Sequence, residues 1–145
     1  MSNFPDIHAK FAKCDYFSLS GKPPFSRLIY LVLNGYAVCF HFTLDFDGGC
    51  NFGPDVEWVN DCTYFVDSNE EVLFRERIQE YWPAIVDRKL VPDYAGIRPK
   101  LKMNDFFIQY ENNVVTLLGM ESPGLTASLS LARNFAAKFI NGAAC

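Results

Sequence analysis

The chain reads as an α+β domain, and three features lead to that class. Asn34-Gly35 stands between two runs rich in β-branched and aromatic residues; both turn residues tolerate positive φ, so an antiparallel hairpin is expected there. One internal segment, residues 69–81, has a helical period with a start and a stop signal. Near the C-terminus, Val114-Val115-Thr116-Leu117-Leu118 ends at Gly119, a Ser122-Pro123-Gly124 turn follows, and a long stretch without Gly or Pro begins. That order predicts strand, tight turn, helix.

Taken in order, residues 1–13 carry little pattern, and the chain reads as β from Asp15. Tyr16 to Ser20 is a short strand, Gly21-Lys22-Pro23-Pro24 breaks it, and residues 27–33 and 36–44 form the two arms of the Asn34-Gly35 hairpin. Cys50 to Pro54 is a short extended piece. Ser68 with Glu71 three residues on is a capping box, and Pro83 forbids continuation of the helix that it opens. Residues 93–101 are extended; Gly96 permits close approach of another group, and Pro99 demands a sheet edge or strand end. Residues 105–110 and 114–118 are two further strands across the polar turn Glu111-Asn112-Asn113. The final helix, with Leu125, Leu129, Leu131, Phe135 and Ile140 among its apolar residues, leaves only a narrow polar strip, so it requires cover on more than one side.

Half of the 145 residues are apolar, which is ample for one packed core. A net charge of −4 without a Lys/Arg cluster argues against nucleic acid. No apolar run has membrane-spanning length, and the N-terminus lacks the regions of a signal peptide, so a soluble chain without a targeting signal is expected. The five cysteines are irregularly spaced with no C-x-x-C pair, which suits reduced structural thiols in a reducing compartment better than a disulfide framework or zinc.

Several residues could carry chemistry. Arg98, between Gly96 and Pro99 in an extended segment, suits bidentate capture of a carboxylate, or is a surface or ion-paired arginine. His41 lies in an apolar strand on one face with Cys39 and Thr43, as a hydrogen-bonded structural residue or an acid-base group. Asp55, Glu57 and Asp61 around Trp58 read as solvated carboxylates, and no metal site is expected. The Gly119 to Gly124 turn lacks the ending of a Walker loop, and Ser122 lacks a nucleophile elbow, which leaves helix capping for its hydroxyl. The first amides of the last helix form an anion site for phosphate, carboxylate or the N1/C2 carbonyl edge of a reduced flavin.

Five motifs carry a resemblance. Tyr16-Phe17-Ser18-Leu19-Ser20-Gly21, Pro24-Phe25-Ser26-Arg27-Leu28-Ile29-Tyr30, Phe52 to Val59, Pro92 to Leu101 and Gly119 to Leu129 resemble, in order, the C-terminal part of the L-2-hydroxyglutarate dehydrogenases. These belong to the FAD-dependent, D-amino-acid-oxidase-like oxidoreductases. The resemblance implies oxidation of the C2 hydroxyl of L-2-hydroxyglutarate, with a hydride passing to flavin N5. Arg98 then takes the substrate α-carboxylate, and His41 hydrogen-bonds the hydroxyl or accepts its proton. Ser122, Gly124, Leu125 and Thr126 contact the FAD cofactor, their backbone amides facing the flavin pyrimidine edge.

The resemblance also sets expectations for organisation. Residues 14–110 form a portion of an antiparallel substrate (cap) sheet with one central helix, and residues 111–145 supply the last strand and C-terminal helix of an incomplete FAD domain. The family's G-x-G-x-x-G spacing occurs nowhere in the chain, so a truncated form that is inactive alone and does not hold FAD tightly is expected. The family's prolines after the Leu-Ile-Tyr strand are here Leu31-Val32-Leu33. The implied ligand is a small 2-hydroxy dicarboxylate, and a partner or N-terminal domain covers the last helix. The location is mitochondrial if the source is eukaryotic, otherwise cytoplasmic. The alternative is a non-catalytic dicarboxylate-binding or protein-interaction module derived from that enzyme.

Overall fold

The computed structural model describes residues 8–31, 40–103, 105–111 and 114–140, with side chains to residue 138. They fall into two compact units: one holds the described residues of Phe11–Arg98, the other those of 8–10 and 99–140. The Asn34-Gly35 turn lies outside the described residues.

The first unit is built on a four-stranded sheet of β1 (Ala9–Leu19), β2 (His41–Leu44), β3 (Cys50–Val59) and β4 (Leu90–Leu101), in the order β2-β3-β1-β4. β3 runs antiparallel to both of its neighbours. The sheet is larger than its sequence pattern announces. β1 begins at Ala9, ahead of the strand expected from Asp15, because pairing of Phe11 with Val59 and Lys13 with Glu57 extends it through residues without alternation. β3 likewise continues past Pro54. The arm expected over 27–33 is reduced, within its described part, to one antiparallel bridge in which Ile29 and Phe42 exchange hydrogen bonds of 3.0 and 2.9 Å. Phe25 turns its ring toward the core, edge-on to Phe42 and Trp82, and this packing draws the chain away from a continuous ladder. β4 is an edge strand, as Pro99 requires.

One face of the sheet is closed by α1 (Glu71–Gln79) and a 3-10 turn, Pro83–Asp87. Phe17, Phe42 and Phe52 come from the strands, Phe74 and Ile78 from α1, and Ile85 from the turn; all are fully buried. The rings interlock, with Phe74 4.4 Å from Phe17 and 4.6 Å from Phe40 between centroids. Arg75 fastens α1 to the turn by donating to the carbonyls of Ile85 and Arg88. The start of the helix departs from the expected Ser68 capping box. A 3-10 turn, Ser68–Glu70, precedes α1, and the oxygen that caps it belongs to Asp67, which accepts from the Asn69 amide at 2.9 Å. The turn begins one residue earlier than the pattern suggests, so Asp67 occupies the capping position.

The second unit consists of a hairpin, β5 (Phe107–Glu111) with β6 (Val114–Leu118), followed by α2 (Gly124–Ile140). Gly119, at φ 65, turns the chain out of β6. Phe135 of α2 meets Tyr110 of β5 at 6.2 Å, and the Lys138 ammonium lies 4.1 Å from the same ring. The α+β class is thus realised as two antiparallel sheets and two α-helices among the described residues.

Candidate functional site

The sheet face away from α1 gathers the polar groups of the first unit. Phe42 points into the core, so its neighbours His41 and Thr43 point the other way, beside Gly53 and Asn51 on β3. On β1, Phe17 is a core residue and Tyr16 takes the opposite face. On β4, Ala95 packs against the core, so Tyr94, Gly96 and Arg98 alternate onto the same outer face as Tyr16. His41 and Arg98 therefore share one face but lie on the two outermost strands, separated by ~14 Å across the sheet at ~4.8 Å per strand and further by the offset of Arg98 along β4 from the level of Tyr94, Tyr16 and His41.

A bulge shapes the middle of this face. Asp15 pairs with Asp55 and Phe17 with Phe52, so Gly53 and Pro54 together oppose Tyr16. Gly53 has φ 145, and a Cβ there would lie 2.7 Å from both the Asp15 carbonyl oxygen and the Tyr16 ring. Only glycine lets the Tyr16 ring lie on the strand at this point.

The electrostatics follow from burial. His41 is half-buried; its ring packs on Tyr30 at 4.3 Å, and its Nδ1 has no hydrogen-bond partner among the described residues. Loss of hydration lowers its pKa, which keeps the imidazole neutral. Arg98 is exposed and makes no hydrogen bond or ion pair among the described residues, unlike the ion-paired arginine that the sequence also allows. Its charge is still felt by Cys14 and Tyr16, lowering both pKa values against larger opposing effects of burial. Burial first, then the neighbouring Tyr94, pushes the Tyr16 phenol up to about 12.

A separate polar cluster lies on the α1 side. Lys13 and Asp15 are buried and form an ion pair at 2.6 Å. Asp15 Oδ1 and Glu70 Oε2 are both buried without a donor. Two carboxylates cannot hydrogen-bond each other, but one proton shared between them restores the bond. Burial, then repulsion from Asp15, raises the Glu70 pKa to about 7.

Ser122, Gly124, Leu125 and Thr126 sit in the second unit, at the entrance to α2. The Ala127 amide donates to the Pro123 carbonyl at 2.9 Å, whereas the amides of Leu125 and Thr126 meet no protein acceptor among the described residues. These open donors at the positive end of a long helix suit the electron-rich edge of a flavin. Ser122 is exposed and its hydroxyl makes no capping bond among the described residues, contrary to the sequence expectation. With α2 starting at Gly124, the capping position falls on Pro123, and Ser122 stands one residue too early.

Sequence reasoning gave no role to Tyr16, Tyr30 or Tyr94. The alternation Tyr94-x-Gly96-x-Arg98 was the available signal for one of them. No group of three or more metal-ligating side chains occurs among the described residues.

The fold is similar to part of that of a solved oxidase. It matches the dithionite-reduced L-alpha-glycerophosphate oxidase from Mycoplasma pneumoniae with FAD bound, at a TM-score of 0.68 and 23% identity, covering 94% of this chain and 37% of that one. The family described as FAD dependent oxidoreductase matches residues 8–138, and the chain belongs to that family. It is also 39% identical, over 94% of its length, to the mitochondrial L-2-hydroxyglutarate dehydrogenase of Arabidopsis thaliana. The chain spans 32% of that relative's length, about a third.

Proposed function

We propose that the chain supplies the substrate-binding sheet and the flavin-facing helix of an enzyme that oxidises L-2-hydroxyglutarate to 2-oxoglutarate. The observation that carries this reading is the presence, on one sheet face, of a guanidinium without a partner among the described residues and of a neutral histidine, in a chain 39% identical to such an enzyme. Arg98 takes the α-carboxylate through two parallel N–H···O bonds. The His41 imidazole accepts the proton of the C2 hydroxyl as the C–O bond becomes a carbonyl. FAD, where bound, supplies the acceptor for the hydride leaving C2.

The amides of Leu125 and Thr126, with Gly124 and Ser122 shaping the turn, hold the pyrimidine edge of that flavin and steady its negative charge on reduction. The strongly exposed Leu125 and Leu129 are read as the face covered by the rest of an FAD domain, to which residues 111–145 belong. A mitochondrial location is read from the Arabidopsis relative's name.

Titration of the purified chain with 2-oxoglutarate, followed by ligand-observed NMR, tests the reading. Binding is expected to fall at least tenfold in Arg98→Ala and to persist in Lys102→Ala, because loss of a charge-assisted bidentate pair is worth more than ~1.4 kcal/mol. Equal binding in all three proteins overturns it.

A further inference from the structure

The proposed reaction requires the His41 imidazole to take up a proton, and with it a positive charge, in surroundings that disfavour charge. Loss of hydration is the one cause that shifts its pKa, and it acts downward. No carboxylate among the described residues hydrogen-bonds or ion-pairs with the imidazole. Residues 32–39, which lead into β2, contain no charged side chain. On β3 the residue opposite is Gly53, and beyond it on β1 stands Tyr16, so the neighbours across the sheet bring no countercharge either. What the imidazole does have is an aromatic face.

The backbone puts that face in place. Ile29 and Phe42 exchange both of their hydrogen bonds, at 3.0 and 2.9 Å, and Ile29 packs against the core. One step along this antiparallel bridge, Tyr30 therefore turns to the outer face directly opposite His41. The two rings lie 4.3 Å apart between centroids with planes 34° from parallel, a face contact rather than an edge-on one. Nδ1 of His41 is buried, so Nε2 is the nitrogen left to meet a ligand. Tyr30 itself is 63% exposed and its hydroxyl makes no hydrogen bond among the described residues. Neither core packing nor a polar anchor accounts for where its ring lies; the contact with His41 does.

Resting on the part assigned to His41 in the proposed function, we infer that Tyr30 is its positioning residue, holding the imidazole with Nε2 outward and offering its electron-rich face to the charge that arrives with the substrate proton. In that step the O–H bond at C2 breaks and an Nε2–H bond forms, while the hydride passes from C2 to the acceptor already named. A cation within ~6 Å of an aromatic centroid is stabilised without a countercharge. The imidazole can thus rest neutral and still accept. The ring face carries this role and the phenol hydroxyl has no share in it.

The test is a pH titration of the full chain by NMR, following the imidazole carbon-bound protons. His8 and His41 are the two histidines of the chain, and His8→Gln tells their signals apart. Tyr30→Phe keeps the ring face and should leave the His41 pKa within about 0.2 unit of the unaltered value. Tyr30→Leu keeps an apolar cover without a π face and should lower it by roughly half a unit, the equivalent of one exposed cation–π contact. Because Tyr30 is exposed, both variants should keep the fold, which circular dichroism checks. An unchanged or raised pKa in Tyr30→Leu overturns the inference, since the ring is then a cover and nothing more. An equal fall in Tyr30→Phe overturns it as well, by assigning the effect to the hydroxyl. No ligand enters this titration, so its outcome is separate from that of the 2-oxoglutarate experiment, where indifference to Arg98→Ala sinks the proposed function whatever Tyr30 does.

Discussion

The two units differ in what they can bury. From Phe11 to Leu90 the sheet, α1 and the 3-10 turn enclose six apolar side chains completely, four of them phenylalanines. From Pro99 to Lys138, Gly124 is the only buried residue among those described. The second unit has a correctly registered hairpin and a 17-residue helix, yet Leu125 is 91% and Leu129 83% exposed. Local pairing and helical hydrogen bonds need only neighbouring residues; an interior needs a second layer. The contrast shows that regular elements can be well formed where an interior is not.

Core substitutions should break this comparison most visibly. Phe42→Ala removes a ring at the centre of the first unit and should cost ~3–5 kcal/mol in urea denaturation. Leu129→Ala, of similar chemical class but exposed, should stay within about 0.5 kcal/mol. Equal losses at the two positions would mean that α2 is buried in solution and the contrast is false.

The carboxyl pair sharpens the picture of the first unit. The folded-state pKa of Glu70, about 7, lies above its ordinary value of 4.5, so the folded protein binds the proton more tightly than the unfolded chain. The resulting stability is present below pH 4.5 and is lost as pH rises through about 7. Thermal unfolding should show this decline over that window, and Glu70→Gln, which cannot ionise, should flatten it. A decline of unchanged size in the variant would assign the proton to another group.

The smallest effect concerns the entry to α1. Asp67→Ala should cost ~1 kcal/mol, the worth of a side-chain cap, and Ser68→Ala a few tenths at most. The reverse order would restore Ser68 as the cap. Both values come from the same denaturation series as Phe42→Ala.

The comparison also separates what pattern reading can reach from what it cannot. Turn chemistry and strand runs located β4, β5, β6 and both helices, because Pro, Gly and β-branched residues act on their own backbone. The same local logic missed the start of β1 at Ala9 and the length of β3, since those strands are stabilised by their partner across the sheet. It assigned the caps to Ser68 and Ser122, each one residue from the position that the backbone selects, because a cap depends on where the first helical turn closes.

The candidate site divides the same way. Arg98 and His41 stood out by residue type and flanking residues, and the resemblance supplied their roles. Tyr16 and Tyr94 lie far apart in the chain and stack only because β1 and β4 are neighbours in the sheet. The sequence alone determined the class of fold, the family's motifs and the residues able to hold an anion, since these depend on local conformation and chemical type. Only the tertiary structure decided which groups share a face, which oxygens are left without donors and which leucines stay in water. Those properties belong to pairs of residues brought together from distant parts of the chain, and no single stretch contains them.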